Sequence, residues 1–380
     1  MRAPHGLVTL LVVVAVLATG CGATATNPPP AGGSVPPPAA SAYAPSTPGL
    51  STVPASVAPS AKSASAITIG FDDSELTGGQ GAIMGGLVAG AKAQGWFVIT
   101  SNANSDASTQ ANQVDSFIGM GVKAIVVVPV DSKAICAEVQ KAHAAGIPFF
   151  TIDRGTDGCA VNMTVQSDNY LGGKQAGEAM VSLLKAKYGS PRGVVLELQG
   201  DLGQNVAQLR GAGFEDVLKQ YPGIKLIQKP TNWDASKFSS DTTDVASTTK
   251  LDGIYAESDC IGAGPVMSAL QQLGQLTKSG SPNHIFLTGV DGCHDTLSAI
   301  RSGMWDESSS QPLPDDGVVL APYIAKVLAG QSIEAGTVTK PGALWSPATI
   351  QSTADGFLAN LATTAVTTAN ANLAGLWGNQ

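Results

Sequence analysis

Residues 122–154 read VKAIVVVPVDSKAICAEVQKAHAAGIPFFTIDR, and this stretch decides the fold. It opens with a β-branched run at 122–128, continues with an amphipathic segment at 132–145, and closes with a second apolar run at 148–152. A short continuous apolar run is typical of a strand that is buried on both faces, as in a parallel sheet. The order strand, helix, strand therefore predicts one βαβ unit.

The same alternation extends from this unit towards both ends of the chain, with a break near 155–169. The strands on either side of the break form two sets, which predict an α/β protein with two doubly wound parallel-sheet lobes. A closed eightfold barrel is the alternative architecture, and the break at 155–169 argues against it. The other expected strands are 67–71, 97–100, 194–198, 224–228, 253–256 and 285–289, and helices are expected near 79–94, 108–120, 170–187, 205–221, 237–249, 261–274, 294–303 and 317–329.

Polar residues follow the expected strands, and open α/β sheets bind ligands beyond the carboxyl ends of their strands. Groups that donate and accept hydrogen bonds, with one tryptophan among them, suit a ligand with many hydroxyls and a flat apolar face. A structural Asp-Arg ion pair and a core tryptophan are the alternatives, although polar neighbours favour an exposed, ligand-facing tryptophan. The candidates are Asp73, Gln80, Asp153 and Arg154 in the first set, and Trp233, Ser258, Asp259 and Asp291 in the second.

The N-terminus has the pattern of an export signal, with a positive start, a short apolar run and small residues before a cysteine. Leu17-Ala18-Thr19-Gly20-Cys21 resembles a bacterial lipobox, which implies a signal peptide at 1–20 and a lipid on Cys21. An ordinary signal peptide is the alternative. Residues 21–66 are rich in Pro, Ala and Ser and predict a tether. The protein is therefore expected on the outer face of the cell membrane, anchored by lipidated Cys21.

Composition and motifs narrow the function classes. A formal net charge of -8 over 380 residues argues against nucleic-acid binding, which needs a basic patch. The chain has no H-E-x-x-H, G-x-S-x-G or C-x-x-C motif. The glycines at 79, 81 and 85 fit a nucleotide-binding pattern weakly, and a tight turn that opens a helix is the better interpretation. No cofactor and no metal are expected.

Several short motifs together resemble the ribose-binding branch of the periplasmic binding proteins. They are Thr151-Ile152-Asp153-Arg154, Gln166 to Gly173, Glu197-Leu198-Gln199-Gly200, Arg210 to Phe214, Glu257-Ser258-Asp259 and Gly289-Val290-Asp291-Gly292. The resemblance implies two lobes joined by three chain crossings, with lobe one at 67–167 plus 312–342 and lobe two at 168–311 plus 343–380. It also implies a small polyhydroxylated ligand, a membrane ABC permease as partner and a monomer. By motif match, the ligand would be bound by Asp153, Arg154, Arg210, Trp233, Asp291 and Gln311, with Ser258 where the family often has Asn.

One departure from the family concerns the wall of the ligand site. The family usually presents an Asn and a pair of Phe after the first strand, whereas this chain reads Thr77-Gly78-Gly79-Gln80-Gly81. A monosaccharide other than ribose, or a polyol, is therefore the expected ligand of a transport receptor. A sensor with the same fold and an exported glycosidase-type enzyme are the alternative functions.

Four cysteines remain besides Cys21, and an exported protein can form disulfides. Cys136 and Cys159 follow neighbouring strands of lobe one, and Cys260 and Cys293 follow strands of lobe two. We therefore expect the pairs 136–159 and 260–293, each within one lobe.

Overall fold

The computed structural model describes residues 66–76 and 78–380. The predicted signal peptide, the lipid anchor at Cys21 and the tether up to residue 65 lie outside the described residues. The described residues form two α/β lobes, and the chain passes between the lobes three times. No helix in this part of the chain combines the length and the apolar character that a membrane span requires.

The elements follow one another in chain order. Lobe one begins with β1 (Thr68–Asp73), α1 (Gln80–Ala93), β2 (Phe97–Asn102), α2 (Ala107–Met120), β3 (Ala124–Val127), α3 (Cys136–Ala144), β4 (Phe149–Ile152) and β5 (Val161–Ser167). Lobe two follows with α4 (Asn169–Tyr188), β6 (Gly193–Gln199), α5 (Asn205–Leu218), β7 (Ile224–Pro230), α6 (Ala235–Thr248), β8 (Gly253–Ala256), α7 (Asp259–Gln272), β9 (Phe286–Asp291), α8 (His294–Ser302) and β10 (Glu307–Ser310). The chain returns to lobe one for α9 (Leu313–Leu328), β11 (Gly336–Val338), β12 (Ala348–Thr353) and β13 (Gly356–Leu361), and ends in lobe two with β14 (Thr364–Val366) and a short 3-10 helix (Trp377–Asn379).

Each lobe is built on one open sheet. Lobe one has eight strands in the order β11-β12-β13-β5-β4-β3-β1-β2, and lobe two has six in the order β14-β10-β9-β8-β6-β7. β1 to β5 pair in parallel, and so do β6 to β10, whereas β11, β12 and β14 join in antiparallel fashion. The prediction of two doubly wound lobes is confirmed, and the described residues form open sheets rather than a closed barrel.

The predicted boundaries of the lobes need two corrections. The sequence placed 343–380 in lobe two, but β13 pairs in parallel with β5, so lobe one extends to Leu361. The predicted break at 155–169 contains β5, whose alternating polar residues hid the strand signal. The three crossings therefore follow Ser167, Ser310 and Leu361.

Helices on both faces explain the apolar run that identified β3. Its residues from Ala124 to Val127 are all 0% exposed. Val126 packs in the same cluster as Ile83 of α1 and Leu320 of α9. Ile125 and Val127 pack in the cluster on the other face, which is covered by α2 and α3. A strand inside such a sandwich has no solvent-facing side, so polar alternation is absent.

Helices α4 and α5 approach each other backbone to backbone. A Cβ atom on Gly173 would lie 1.9 Å from the carbonyl oxygen of Arg210, and one on Gly213 would lie 2.1 Å from that of Tyr170. Only glycine permits this contact at both positions. This packing fixes the position of α5. Arg210 is a residue of α5 and is therefore fixed with it.

The cysteines of the two lobes differ. In lobe one, Cys136 and Cys159 form a disulfide with an S–S distance of 2.08 Å. In lobe two, Cys260 and Cys293 are free thiols, so the expected pair 260–293 is corrected. The Cys293 sulfur lies 3.4 Å from the hydroxyl of Thr296 and makes a hydrogen bond there instead of a covalent bond.

Candidate functional site

A cavity between the two lobes brings most of the predicted ligand residues together. The empty space among its lining residues amounts to about 370 Å³, including space that is open to solvent. Both lobes line it, at the carboxyl ends of their strands. The predicted residues that line it are Gln80, Asp153 and Arg154 from lobe one, and Arg210, Trp233, Ser258, Asp291 and Gln311 from lobe two.

The polar side of lobe one is a chain of ion pairs and hydrogen bonds. Asp153 Oδ2 accepts a hydrogen bond from Gln80 Nε2 at 3.1 Å and lies 3.4 Å from Arg154 Nε. Arg154 also donates to Glu75 Oε1 at 3.1 Å and to Ser74 Oγ at 2.8 Å. Asp153 has a φ of +64°, a left-handed conformation that Asp tolerates better than most residues. This backbone turns its carboxylate out of the sheet and into the cavity.

Two buried polar atoms of this network have no hydrogen-bond partner among the described residues. Gln80 Oε1 is buried and accepts no hydrogen bond from any described residue. Arg154 Nε is likewise buried, with the Asp153 carboxylate close by but outside hydrogen-bond geometry. Buried polar groups are almost always paired, so these two atoms are exceptions within residues that line the cavity.

Arg210 organises the polar side of lobe two. Its Nε donates to Asn169 Oδ1 at 2.8 Å, and its Nη2 donates to Gln311 Oε1 at 3.1 Å. Its Nη1 donates to the carbonyl oxygen of Glu257 at 2.6 Å and lies 3.1 Å from Asp291 Oδ1. Burial by itself lowers the pKa of Arg210, but nearby carboxylates, Asp291 foremost, raise it above its ordinary value. The guanidinium is therefore a permanent, rigidly oriented donor.

Asp291 is the second cavity carboxylate and is held from three sides. Ser258 Oγ donates to its Oδ2 at 2.5 Å, Arg210 contacts its Oδ1, and Trp377 Nε1 donates to its backbone carbonyl at 2.7 Å. Its φ of +122° lies in the region that favours glycine. Burial raises the pKa of Asp291, whereas the Arg210 guanidinium and the Ser258 hydroxyl lower it. Backbone strain of this kind clusters at functional sites.

Trp233 forms the aromatic wall of the cavity. It was expected to be exposed, but it is only 8% exposed, because it packs against Val206 and Ile261 and donates from Nε1 to Gln204 Oε1 at 2.6 Å. Its φ of +60° is also left-handed. A Cβ atom on Gly200 would lie 1.9 Å from the indole, so only glycine leaves room for this ring. The face of Trp233 that lines the cavity can contact ligand C–H groups.

The opposite wall is aliphatic. A Cβ atom on Gly79 would come within 2.1 Å of Leu313 Cδ1. The side chain of Leu313 from α9 therefore occupies the space that a side chain at position 79 would need. Ile83 of α1 completes this side. The wall therefore offers apolar contact without the flat face of a second aromatic ring.

Two predicted ligand residues lie elsewhere. Asp73 is 1% exposed and does not line the cavity, and burial raises its pKa to about 7. Asp259 accepts hydrogen bonds from the Gly292 amide at 3.1 Å, from Thr296 Oγ1 at 2.9 Å and from the Ser308 hydroxyl. Both carboxylates follow a strand, but the strand end alone does not reveal which way a side chain points.

The sequence interpretation missed several residues of the site. Glu75 lies just after β1 but was not among the predicted ligand residues, and Ile83, Val206, Ile261 and Leu313 carry no polar signal. The apolar residues lie on helices whose inner faces read as core, so no sequence feature separates them from core positions.

Comparisons with known proteins agree with this geometry. A family model described as the periplasmic binding protein domain matches residues 80–332, which is more than half of the chain. A xylitol-binding protein of Mycolicibacterium smegmatis is 34% identical over 229 residues, or 60% of this chain and 62% of that protein, so the chain spans less than two thirds of this relative. A D-apiose import binding protein of Paraburkholderia graminis is 32% identical over 257 residues, 67% of this chain and 76% of that protein.

Solved structures give the same result for the fold. An ABC transporter solute-binding protein from Mycobacterium smegmatis with bound glycerol is 26% identical, with a TM-score of 0.68 over 80% of this chain and 96% of that chain. One from Bacillus halodurans with bound myo-inositol is 22% identical, with a TM-score of 0.68 over 81% and 97% of the two chains, and shows the shared fold. The resemblance found in the sequence is thus confirmed, and the chain belongs to the periplasmic binding protein family, whose members similar to it include a xylitol-binding protein and a D-apiose import binding protein.

Proposed function

We propose that the protein captures a small uncharged polyhydroxylated molecule, a monosaccharide or polyol, in the cavity between its lobes and delivers it to a membrane ABC permease. One observation carries the proposal. Each lobe contributes one aspartate and one arginine to the same cavity, Asp153 with Arg154 and Asp291 with Arg210. Carboxylates accept from hydroxyls and guanidinium groups donate to them, so the two pairs can bind neighbouring hydroxyls from opposite sides.

The position of the pairs links binding to closure of the lobes. A ligand that touches Asp153 and Asp291 at once contacts both lobes only when they are close together. Because it binds the closed arrangement better than the open one, the ligand shifts the population towards closure. A permease that distinguishes the closed from the open form could then recognise the loaded protein.

The relatives and the cavity both support a polyol or a small sugar. The relatives named above bind xylitol and D-apiose, and a related structure holds glycerol. The cavity has one aromatic wall and one aliphatic wall, which suits a ligand without two flat faces.

A thermal-shift screen tests the ligand class. The purified protein is heated with xylitol, D-apiose, ribose, glycerol and myo-inositol, and with an amino acid and a dipeptide as controls. A ligand at about 1,000 times its Kd stabilises the folded state by ~4 kcal/mol, which raises the Tm by several degrees. A shift with the amino acid or the dipeptide, and none with the polyols and sugars, would show that the proposed ligand class is wrong.

We also propose that the protein binds its ligand without turnover. The family consists of solute-binding proteins, whereas an exported glycosidase would need two carboxyl groups placed across a scissile bond. Incubating the ligand found in the screen with the protein, followed by NMR of the recovered ligand, distinguishes the two. Recovery of a cleaved or rearranged product would establish an enzyme.

The anchor and the cellular role complete the proposal. Cys21 would carry the lipid, residues 21–66 would extend the two lobes away from the membrane as a monomer, and binding would serve import rather than sensing. Mass spectrometry of the mature N-terminus tests the lipid, and light scattering tests the monomer. Import and sensing are distinguished by measuring uptake of the ligand in cells that lack the protein. Uptake should be lost if the protein serves import and kept if it is a sensor, because a sensor is dispensable for uptake.

A further inference from the structure

The lobes touch each other directly along a seam beside the cavity, formed by residues 130–132 and 155 of lobe one and 203–205 of lobe two. The Ser132 amide donates to the Gly203 carbonyl at 3.3 Å, and the Asn205 amide donates to Ser132 Oγ at 3.1 Å. The Gly155 amide donates to Asn205 Oδ1 at 3.2 Å. None of these four residues lines the cavity, so the seam is a contact between the lobes that is distinct from the candidate ligand residues.

One residue joins the seam to the ligand site. Gln204 is 3% exposed, and its Nε2 donates across the seam to the Val130 carbonyl at 3.0 Å. Its Oε1 accepts from Trp233 Nε1 at 2.6 Å. A single amide group thus contacts lobe one with its donor and the aromatic wall of lobe two with its acceptor, while Gln204 does not line the cavity.

The lobe-one side of the seam is braced. The Asp157 amide donates to the Ser132 carbonyl at 2.8 Å and ties the two lobe-one loops together. The Cys136–Cys159 disulfide links the same two stretches of chain a few residues further on. The lobe-one residues of the seam are therefore held rigidly. A contact can select one orientation of lobe two only if its lobe-one side is rigid.

We propose that Gln204 is a positioning residue that couples closure of the lobes to the orientation of Trp233. The proposal rests on the proposed function, since it assigns Trp233 a role in ligand binding. When the lobes close, the bond to Val130 fixes the Gln204 amide, and the fixed amide holds the indole against the ligand. In the open state the amide loses its lobe-one partner, so the indole is held less firmly and ligand leaves more easily.

A double-mutant cycle with xylitol as the probe tests the coupling by calorimetry. Gln204→Ala should raise the Kd about tenfold in the parent protein, because it removes two buried hydrogen bonds and leaves the indole N–H unpartnered. In the Trp233→Phe background it should raise the Kd only about threefold, because only the bond to Val130 is lost. Equal factors in both backgrounds would overturn the inference. If the alanine variant does not fold, Gln204→Met replaces it, because Met keeps the length of the side chain and removes both the donor to Val130 and the acceptor for the indole.

Hydrogen exchange tests the seam separately from the ligand affinity. With xylitol at saturation, Gln204→Ala should speed exchange about tenfold at the Ser132, Gly155 and Asn205 amides, none of which its side chain touches. Gln208→Ala is the matched control, because the Gln208 side chain lies in the first turns of α5, is exposed and, among the described residues, donates to the Leu202 carbonyl of its own lobe. Exchange in Gln204→Ala that equals the parent would overturn the inference. If xylitol does not bind, the comparison is repeated at saturation with the ligand found in the thermal-shift screen; failure of every sugar and polyol in that screen counts against the proposed function and not against the seam.

Discussion

Asp153→Asn separates the charge of the lobe-one carboxylate from its shape. Asn fills the same volume and tolerates the left-handed backbone at φ +64°, so the conformation of residue 153 is kept. Arg154 keeps Glu75 at 3.1 Å and Ser74 at 2.8 Å, so it is not left as an unpaired buried charge. The variant therefore folds with nearly the stability of the parent, and its main defect is in binding.

The size of that defect follows from the hydrogen bonds that the carboxylate offers. Bonds to a charged acceptor contribute about 1.5–3 kcal/mol each, and neutral ones about 0.5–1.5 kcal/mol. Loss of charge at one or two ligand hydroxyls thus costs about 1–3 kcal/mol, or roughly a fivefold to 150-fold increase in Kd. Calorimetry with the ligand found in the screen measures it.

The matched control for this variant is Asp73→Asn. Asp73 also lies at the end of a lobe-one strand and is buried, but it does not line the cavity. Its replacement should raise the Kd much less than Asp153→Asn does, because Asp73 acts on the cavity only through its charge near Arg154 and Asp153. If Asp153→Asn binds within twofold of the parent while Asp73→Asn binds weakly, the assignment of the two carboxylates is wrong.

Three further predictions concern other parts of the molecule. Trp233→Ala should raise the Kd at least about tenfold, with a smaller negative heat-capacity change on binding, because apolar contact with the ligand is lost; an unchanged heat capacity would contradict this. Burial raises the pKa of the Glu307 carboxyl from 4.5 to about 8. Between pH 4.5 and pH 8 the folded state holds a proton that the unfolded chain has lost, so the free energy of unfolding falls as the pH rises. Glu307→Gln should remove this slope and stabilise the protein by on the order of 2–4 kcal/mol at pH 8 but little at pH 4, as urea unfolding at both values would show. Replacing Cys136 and Cys159 by serine should lower the free energy of unfolding by about 3 kcal/mol, since the bond closes a loop of 23 residues; an unchanged urea midpoint would refute it.

Strands with a continuous apolar run could be predicted from the sequence, whereas those defined by their neighbours could not. β3 was evident because both of its faces are covered. β10 reads Glu-Ser-Ser-Ser and is fully buried, because it lies between β9 and β14 and its side chains make hydrogen bonds there. The residues Glu-Ser-Ser-Ser do not favour a strand by themselves, so β10 is defined only by the neighbouring strands that pair with it.

The residues of the candidate site also differ in how well the sequence predicted them. Asp153 and Asp291 were predictable because they follow apolar strands directly, and in both cases the structure turns the side chain into the cavity. Arg210 lies inside a helix and was assigned only through the resemblance to a family. The aliphatic wall formed by Leu313 depends on the packing of α9 against α1, a contact between segments more than 200 residues apart that sequence patterns do not reveal.

The left-handed backbone at Asp153 and Trp233, together with the glycine-like φ of Asp291, limits how this site can change during evolution. At positions 153 and 291 a β-branched residue would have to adopt a conformation that it strongly disfavours, so exchanges among Asp, Asn and Gly are the accessible ones there. Ile83 and Leu313 have ordinary backbones and meet the same cavity. Paralogues with a different ligand would therefore diverge first on the aliphatic wall, while the polar anchors stay fixed, and libraries for altering specificity should be built at those two positions.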